Sequence, residues 1–176
     1  MHVLLIATGE TDPLDGDPLV AHLTPQGQEQ AAQAREAVGD GRVDLLVVGS
    51  DVGSAEMAAV ATARLHTGER WDVGDLEPMN RHDLGLAAAA SPMPSRWTPE
   101  QRRLGRERLW VRVTPVWARI EVYAQAKAYD RAADGVAIVA DRLVASMLLL
   151  AWKGKDWRDL EDGGPVNPGD VLSPSP

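Results

Sequence analysis

Three short apolar runs constrain the fold of this chain more than any other feature. They are HVLLIA at residues 2–7, VDLLVVGS at 43–50 and GVAIVAD at 135–141. Each run is continuous and does not alternate with polar residues, which is the pattern of a strand buried on both faces of a parallel sheet. None approaches the ~18 apolar residues of a membrane span. The sequence therefore predicts an α/β protein with a mainly parallel central sheet.

Helical segments separate these strands. Thr24 fits the N-cap of a first helix, Pro25 fits its first turn, and Gly39 or Gly41 can end it. The segment GSAEMAAVATARLH at 53–66 follows the second strand and is predicted to be a second helix. This order of elements predicts a layered domain with helices packed on the sheet.

The middle of the chain has a different character, and we interpret residues 78–112 as an insertion capping one end of the sheet. The segment LAAAASPMPS is too rich in Pro and Ser for a regular element. Thr98, Pro99 and Gln101 then provide the N-cap, first helical position and capping box of a helix. Because a Thr-Pro pair recurs, a separate long helix is predicted at 114–135.

The C-terminal part continues the pattern. The mostly apolar segment RLVASMLLLAW at 142–152 predicts a buried helix, and DVL after it predicts at best a short edge strand. An edge strand of this kind offers a surface for a homodimer. The Pro/Ser tail at 171–176 is expected to fray. We therefore expect one domain over residues 1–176.

Charge and composition narrow the classes of partner. The chain has 26 acidic and 18 basic residues, a formal charge of -8, which argues against nucleic-acid or membrane partners and favours a small-molecule ligand. It has no Cys, and His2, His22 and His66 show no metal-ligand spacing, so no metal and no cofactor are expected. The first residues carry neither a basic leader nor a cleavage site, so a cytoplasmic location is expected by default. The bias towards Ala, Gly, Val, Asp and Arg without Phe is typical of a GC-rich bacterial genome.

Four motifs occur in a characteristic order: LLIATGETD, LTPQGQEQAAQA, LLVVGSDVGSAEMAAVA and VAIVAD. Together they resemble the histidine phosphatase (phosphoglycerate mutase-like) superfamily over most of the chain. The most specific part is 23–31, where that family has Leu-Thr, a Gly three residues after the Thr, and Gln-Ala beyond it. Gly-Glu-Thr at 9–11 is a second match. The resemblance implies a three-layer α/β/α fold of the phosphoglycerate mutase-like type.

The residues that carry the family's chemistry are replaced. By the resemblance, Ala7 and Thr8 stand at the positions of the family's Arg and nucleophilic His, Ser54 at that of its second Arg, and Asp141 at that of its second His. Glu77 matches the acid that protonates the leaving group, although the usual spacing after it is not kept. The nucleophile and both phosphate-binding Arg residues are therefore absent from this alignment.

The expected pocket has acidic residues where a phosphatase has cations. It is expected to contain Glu10, Asp51, Glu77 and Asp141, and these would repel a phosphoryl group, which carries nearly two negative charges. Thr8 has no adjacent base and no electropositive hole to activate its hydroxyl. The sequence therefore predicts that the protein has no phosphatase or mutase activity.

Two functions from different classes remain. In the first, Glu77 and Asp141 form an acid/base pair for isomerisation, cyclisation, dehydration or hydrolysis of a non-phosphorylated small molecule in bacterial specialised metabolism. In the second, the protein is a catalytically dead pseudophosphatase that binds a ligand or a protein. A third reading is that some of these positions were changed deliberately.

Individual residues carry structural alternatives beside these roles. Thr8 and Ser54 are expected to position a ligand by hydrogen bonding, with Glu10 lining the pocket. Asp141 has the alternative role of N-cap to the helix that starts at Arg142. His82 is placed at the cleft mouth, with a solvated surface His as the alternative.

Two further groups of residues each have two interpretations. The arginines of the insertion helix can steer an acidic partner or form a solvated face of ion pairs. They are Arg102, Arg103, Arg106, Arg108 and Arg112. The tryptophans can form the wall of a ligand pocket or pack in the core. They are Trp97, Trp110 and Trp117.

Overall fold

The computed structural model describes residues 2–12, 16–84, 94–129, 135–160 and 164–173. The described strands are β1 Val3–Ala7, β2 Thr11–Asp12, β3 His22–Leu23, β4 Gly41–Gly49, β5 Leu65–Val73, β6 Val136–Ala140 and β7 Val171–Leu172. Five of them form one sheet in the order β5-β4-β6-β1-β7, while β2 and β3 form a small ribbon. All neighbours in the large sheet are parallel except β7, which runs antiparallel to β1.

Helices cover both faces of the sheet. They are α1 Pro25–Val38, α2 Val52–Ala61, α3 Pro99–Tyr129 and α4 Arg142–Trp152. Side chains of β1, β4 and β6 alternate between a buried cluster shared with α3 and α4 and a second cluster shared with α1 and α2. This two-sided burial is why those strands read as continuous apolar runs, and it confirms the predicted three-layer α/β/α fold. No helix in the described part of the chain is long and apolar enough to cross a membrane.

The start and end of α1 confirm the sequence prediction. The Thr24 side chain accepts a hydrogen bond from the Gly27 amide at 3.0 Å, and Pro25 occupies the first helical position. Gly39 ends the helix with a φ of 69°, a conformation that favours glycine. Both ends of α1 are therefore set by the hydrogen bonds and backbone preferences of neighbouring residues.

Gly27 is required by close packing between α1 and the loop after β1. A Cβ at this position would collide with the carbonyl oxygen of Glu10. We expect Gly27→Ala to lower the free energy of unfolding by about 2–3 kcal/mol, because backbone must shift to make room. Gly41→Ala is the control, since the nearest atom to a Cβ there is a Leu65 methyl at 3.7 Å. Urea denaturation of both variants tests this, and equal stabilities would contradict it.

Strand β5 was not predicted. The expected helix at 53–66 ends at Ala61, and the chain then forms the nine-residue strand Leu65–Val73. This strand lies at the edge of the sheet and most of its side chains are exposed, so it has no apolar run to reveal it. Polar and charged residues of this kind are typical of edge strands, which must not pair with other chains.

The two helices predicted around residues 99–112 and 114–135 are one helix. The predicted capping box is present, because the Thr98 amide donates to Gln101 Oε1 at 2.8 Å and the Gln101 amide donates to Thr98 Oγ1 at 3.2 Å. The helix then continues through Pro115 to Tyr129 without a break at 112.

Packing explains why the Thr-Pro pair does not end α3. A continuous apolar stripe on both sides of Pro115 is buried against the sheet and α4: Leu109, Val113, Val116, Trp117, Ile120 and Ala124. Pro115 removes one hydrogen bond, the one to the Val111 carbonyl, and Val111 lies on the exposed side of the helix. Burial of six core side chains outweighs the loss of that one bond.

The short edge strand predicted at DVL is present. Val171 and Leu172 form β7 at the edge of the sheet and pair with Ile6 and Leu5 of β1, so the frayed tail predicted at 171–176 does not include them. Ser173 Oγ also lies 3.2 Å from His2 Nε2. Residues 174–176, like most of the LAAAASPMPS segment, lie outside the described residues.

Candidate functional site

Three polar side chains meet where neighbouring strands end. Thr8 directly follows β1, Asp141 directly follows β6, and Asp51 comes two residues after β4. These strands are adjacent and parallel, so their carboxyl ends lie at one edge of the sheet, where open α/β folds bind ligands. The Thr8 amide donates to the carbonyl of Ala140 at 2.8 Å and so ties two of the ends together.

Two hydroxyl groups form the neutral part of this site. Thr8 Oγ1 lies 3.1 Å from Ser54 Oγ, and the two residues are 5% and 0% exposed. Ser54 is in the first turn of α2, so its position follows from the N-terminus of that helix. The structure thus brings together two residues predicted to position a ligand.

Asp51 is the N-cap of α2, yet only one of its oxygens has a partner. Oδ1 accepts a hydrogen bond from the Ser54 amide at 2.8 Å. Oδ2 is buried and, among the described residues, makes no hydrogen bond. A Cβ on Gly49 would stand 2.9 Å from this oxygen and 2.9 Å from the Leu76 carbonyl oxygen, so two acceptors face the same spot.

Burial raises the pKa of Asp51 from 3.8 to about 6, although hydrogen bonding by Ser54 opposes the rise and the charge of Asp141 adds to it. A carboxyl in a dry position holds its proton more tightly, because ionisation there is not compensated by water. Asp51 therefore titrates close to neutral pH.

Asp141 is the N-cap of α4, as the structural alternative proposed. Its Oδ1 accepts from the Leu143 amide at 2.8 Å. Burial raises the pKa of Asp141, while backbone amides of α4 and the charge of Arg142 lower it. Its charge in turn makes a smaller contribution, after burial, to the raised pKa of Asp51.

Other residues named from the sequence lie around this pair in different settings. Glu10 is exposed and its Oε2 accepts from Thr24 Oγ1 at 2.7 Å, at the start of α1. Glu77 follows the turn Gly74–Leu76, and its Oε1 lies 3.7 Å from where a Gly74 Cβ would stand. His82 is exposed, and its amide donates to Asn80 Oδ1 at 2.9 Å.

Sequence reasoning placed Asp51 in the pocket but gave it no role. The structure makes it a carboxyl whose pKa is raised by burial, with a smaller contribution from the charge of Asp141. A signal was present: Asp51 follows a buried strand and stands three residues before Ser54, the spacing of an N-cap with its first-turn partner. That spacing locates the helix start, but not the burial that shifts the pKa.

Arg112 does not steer ligands, contrary to one reading of the basic helix. Its guanidinium forms a bidentate pair with Asp83, at 3.1 Å and 2.9 Å, and the side chains are 20% and 6% exposed. It also donates to the carbonyls of Asp75 and Glu77, each at 2.9 Å. Arg112 therefore fastens the loop after β5 to α3.

Arg103 and the three tryptophans follow the structural alternatives. Arg103 forms an exposed ion pair with Glu107 at 3.5 Å. Trp97 and Trp117 are 3% and 6% exposed within the core, and Trp110 packs against the same core. Core packing therefore accounts for all three rings.

Two carboxylates of the chain lie at helix N-termini of this edge. Helix N-termini attract anions, but those of α2 and α4 are occupied by the chain's own carboxylates. A phosphate dianion approaching this edge would meet Asp51 and Asp141 where it needs positive charge.

Solved structures with the same fold include several phosphatases. The α-ribazole phosphatase from Shigella flexneri is similar at 20% identity and a TM-score of 0.65, over 97% of this chain and 88% of that chain. A mycobacterial glucosyl-3-phosphoglycerate phosphatase is similar at 20% identity and a TM-score of 0.62, over 95% and 86%. The protein histidine phosphatase SixA, complexed with tungstate, shows 11% identity and a TM-score of 0.51, over 85% and 75%.

No family model matches the sequence, and no curated protein is significantly similar to it. The structural neighbours belong to the histidine phosphatase superfamily, so the predicted phosphoglycerate mutase-like fold is confirmed. TM-scores of 0.51 to 0.65 establish a shared fold, while identities of 11% to 20% leave the activity to be argued from the site itself.

Proposed function

We propose that this protein is a cofactor-independent enzyme that uses Asp51 and Asp141 for acid/base conversion of a non-phosphorylated small molecule. The reaction class is isomerisation, cyclisation, dehydration or hydrolysis. The proposed reaction involves no phosphoryl transfer, although solved structures with the same fold include phosphatases.

The buried carboxyl of Asp51 carries this proposal. A pKa raised from 3.8 to about 6 means that ionised Asp51 destabilises the folded state by about 3 kcal/mol at neutral pH. Asn, Ser or Thr would cap α2 without that penalty. A destabilising ionisable group at a ligand-binding edge is typical of a functional site.

The pKa values suggest the roles of the two carboxyls. Burial, with a smaller contribution from the charge of Asp141, raises the pKa of Asp51 to about 6. We therefore assign Asp141 as the general base and the protonated fraction of Asp51 as the acid. A pKa near the working pH is efficient for proton transfer. Thr8 and Ser54 supply neutral hydroxyls to orient an uncharged polar group.

The test compares wild type with Asp51→Asn and Asp141→Asn, since Asn preserves both helix caps. One arm supplies p-nitrophenyl phosphate and glucosyl-3-phosphoglycerate and measures orthophosphate. The other supplies a bacterial metabolite extract treated with alkaline phosphatase and follows it by mass spectrometry. We expect no orthophosphate, and at least one compound consumed by wild type about 10²–10⁴-fold faster than by either variant.

Asp156→Asn is the matched control, because Asp156 caps a short turn elsewhere and its side chain is 45% exposed. It should turn over the compound at the wild-type rate. Orthophosphate release by wild type that both site variants lose would instead establish a phosphatase and overturn the proposal.

A pseudophosphatase scaffold is the second candidate. It is favoured by the internal hydrogen bonds, since Asp51 and Asp141 each cap a helix and Thr8 pairs with Ser54. Its signature would be a compound that wild type retains in native mass spectrometry but never converts. That outcome would replace the enzyme with a binding protein.

A further inference from the structure

A groove of about 430 Å³ lies beside β5, and it is distinct from the pair of carboxyls. It is lined by residues 71–73 of β5, by Gly74 and Asp75 of the following turn, and by Val116 and Arg119 of α3. The volume falls within the roughly 300–1,000 Å³ of small-molecule sites. None of the residues singled out from the sequence as catalytic or binding lines it.

The walls of the groove are held in place before any ligand arrives. The Trp71 ring packs edge-on against Tyr123, with centroids 5.2 Å apart and planes at 75°. The turn that carries Asp75 is fastened by the hydrogen bond from Arg112 to the Asp75 carbonyl at 2.9 Å. A preformed site of this kind loses little conformational entropy on binding.

The charged groups of the groove are available for hydrogen bonding. Arg119 Nη2 and Asp75 Oδ2 are 3.6 Å apart, and their side chains are 61% and 55% exposed. That separation is too long for a hydrogen bond, so a ligand hydroxyl that bridges the two groups disturbs only a weak, exposed ion pair. Asp72 is paired with Arg70 at 2.8 Å and contributes a second exposed carboxylate.

This lining discriminates between classes of ligand. Asp72 is already paired with Arg70, and Asp75 beside Arg119 leaves no net positive charge to attract a phosphate or another dianion. An apolar ligand would desolvate three charged side chains without giving them partners. A sugar satisfies both requirements, because its hydroxyls donate to carboxylates and accept from guanidinium while its C–H face packs on the indole of Trp71.

We propose that this groove binds a neutral, polyhydroxylated ligand of one or two sugar rings. Asp75 and Arg119 hold the hydroxyl groups, and Trp71 supports the apolar face of the ring. The groove shares no residue with the acid/base pair, so its sugar binding can be tested independently of the proposed function.

The test titrates D-glucose and maltose, up to about 50 mM, into the full-length protein labelled with ¹⁵N on the indole nitrogens. Trp71→Phe identifies the Trp71 signal and keeps an aromatic ring against Tyr123. We expect a saturable shift of that signal. We also expect Asp75→Asn and Arg119→Gln each to weaken binding at least about tenfold.

Glu36→Gln and Arg64→Gln are matched controls, since Glu36 and Arg64 form an exposed ion pair at 3.2 Å elsewhere on the surface. They should bind the sugars like wild type. The proposal is overturned by the absence of a saturable shift with either sugar. Wild-type affinity in the Asp75 and Arg119 variants, or tighter binding of glucose 1-phosphate than of glucose, would overturn it as well.

Discussion

Asp51→Asn is expected to stabilise the protein by about 3 kcal/mol at pH 7.5. The folded-state pKa of Asp51 is raised from 3.8 to about 6, so ionisation of this carboxyl opposes folding. Asn keeps the oxygen that caps α2 and carries no charge that burial would oppose. Urea denaturation of wild type and variant measures the difference.

The pH dependence of this difference identifies its cause. Between pH 3.8 and about 6, the folded state binds more protons at Asp51 than the unfolded state does, so wild-type stability falls as pH rises through that window. The gain from Asp51→Asn should therefore shrink to about 0.5 kcal/mol at pH 4. Asp156→Asn should change stability little at either pH. A gain that is the same at both pH values would contradict the argument.

Arg112→Met is expected to lower the free energy of unfolding by about 3–5 kcal/mol, and Tm by roughly 10 °C. It removes both hydrogen bonds to Asp83 and those to the carbonyls of the loop after β5. Asp83, at 6% exposed, would remain as an unpaired buried carboxylate. Thermal and urea denaturation measure the effect. Arg103→Met is the control, because Arg103 is exposed, and it should change the free energy of unfolding by less than about 0.5 kcal/mol.

A double variant separates the buried charge from the lost hydrogen bonds. Adding Asp83→Asn to Arg112→Met removes the unpaired charge, while the Asn oxygen can still accept from the Asn80 amide that now donates to Asp83 at 3.0 Å. We expect the double variant to be more stable than Arg112→Met alone. If the two substitutions simply add, the coupling inferred from the structure is wrong.

Local signals in the sequence were sufficient where one residue acts on its immediate neighbours. The caps at Thr24 and Thr98 and the end of α1 at Gly39 depend on hydrogen bonds within four residues. Both caps were predicted, and Gly39 was one of the two glycines predicted to end α1. The continuous runs of β1, β4 and β6 also identified the buried strands, because burial on both faces leaves no room for alternation.

The edge strand β5 and the long-range packing of α3 could not be predicted from local sequence patterns. Strand β5 has few buried side chains, so hydrophobic periodicity gave no sign of it. The Thr-Pro pair at 114–115 predicted a helix start that the buried stripe of α3 overrides. The ion pair of Arg112 joins residues 29 positions apart, and no local pattern distinguishes it from the exposed cations of the same helix.

The sequence by itself determined the layered α/β fold and the caps of α1 and α3. These depend on residue type and short spacing. Only the tertiary structure decided that Asp51 is buried with a raised pKa, and that one of its oxygens makes no hydrogen bond within the described part of the chain. A pKa depends on burial and on charges brought close by folding, and neither exists until β4, β6 and β1 lie side by side.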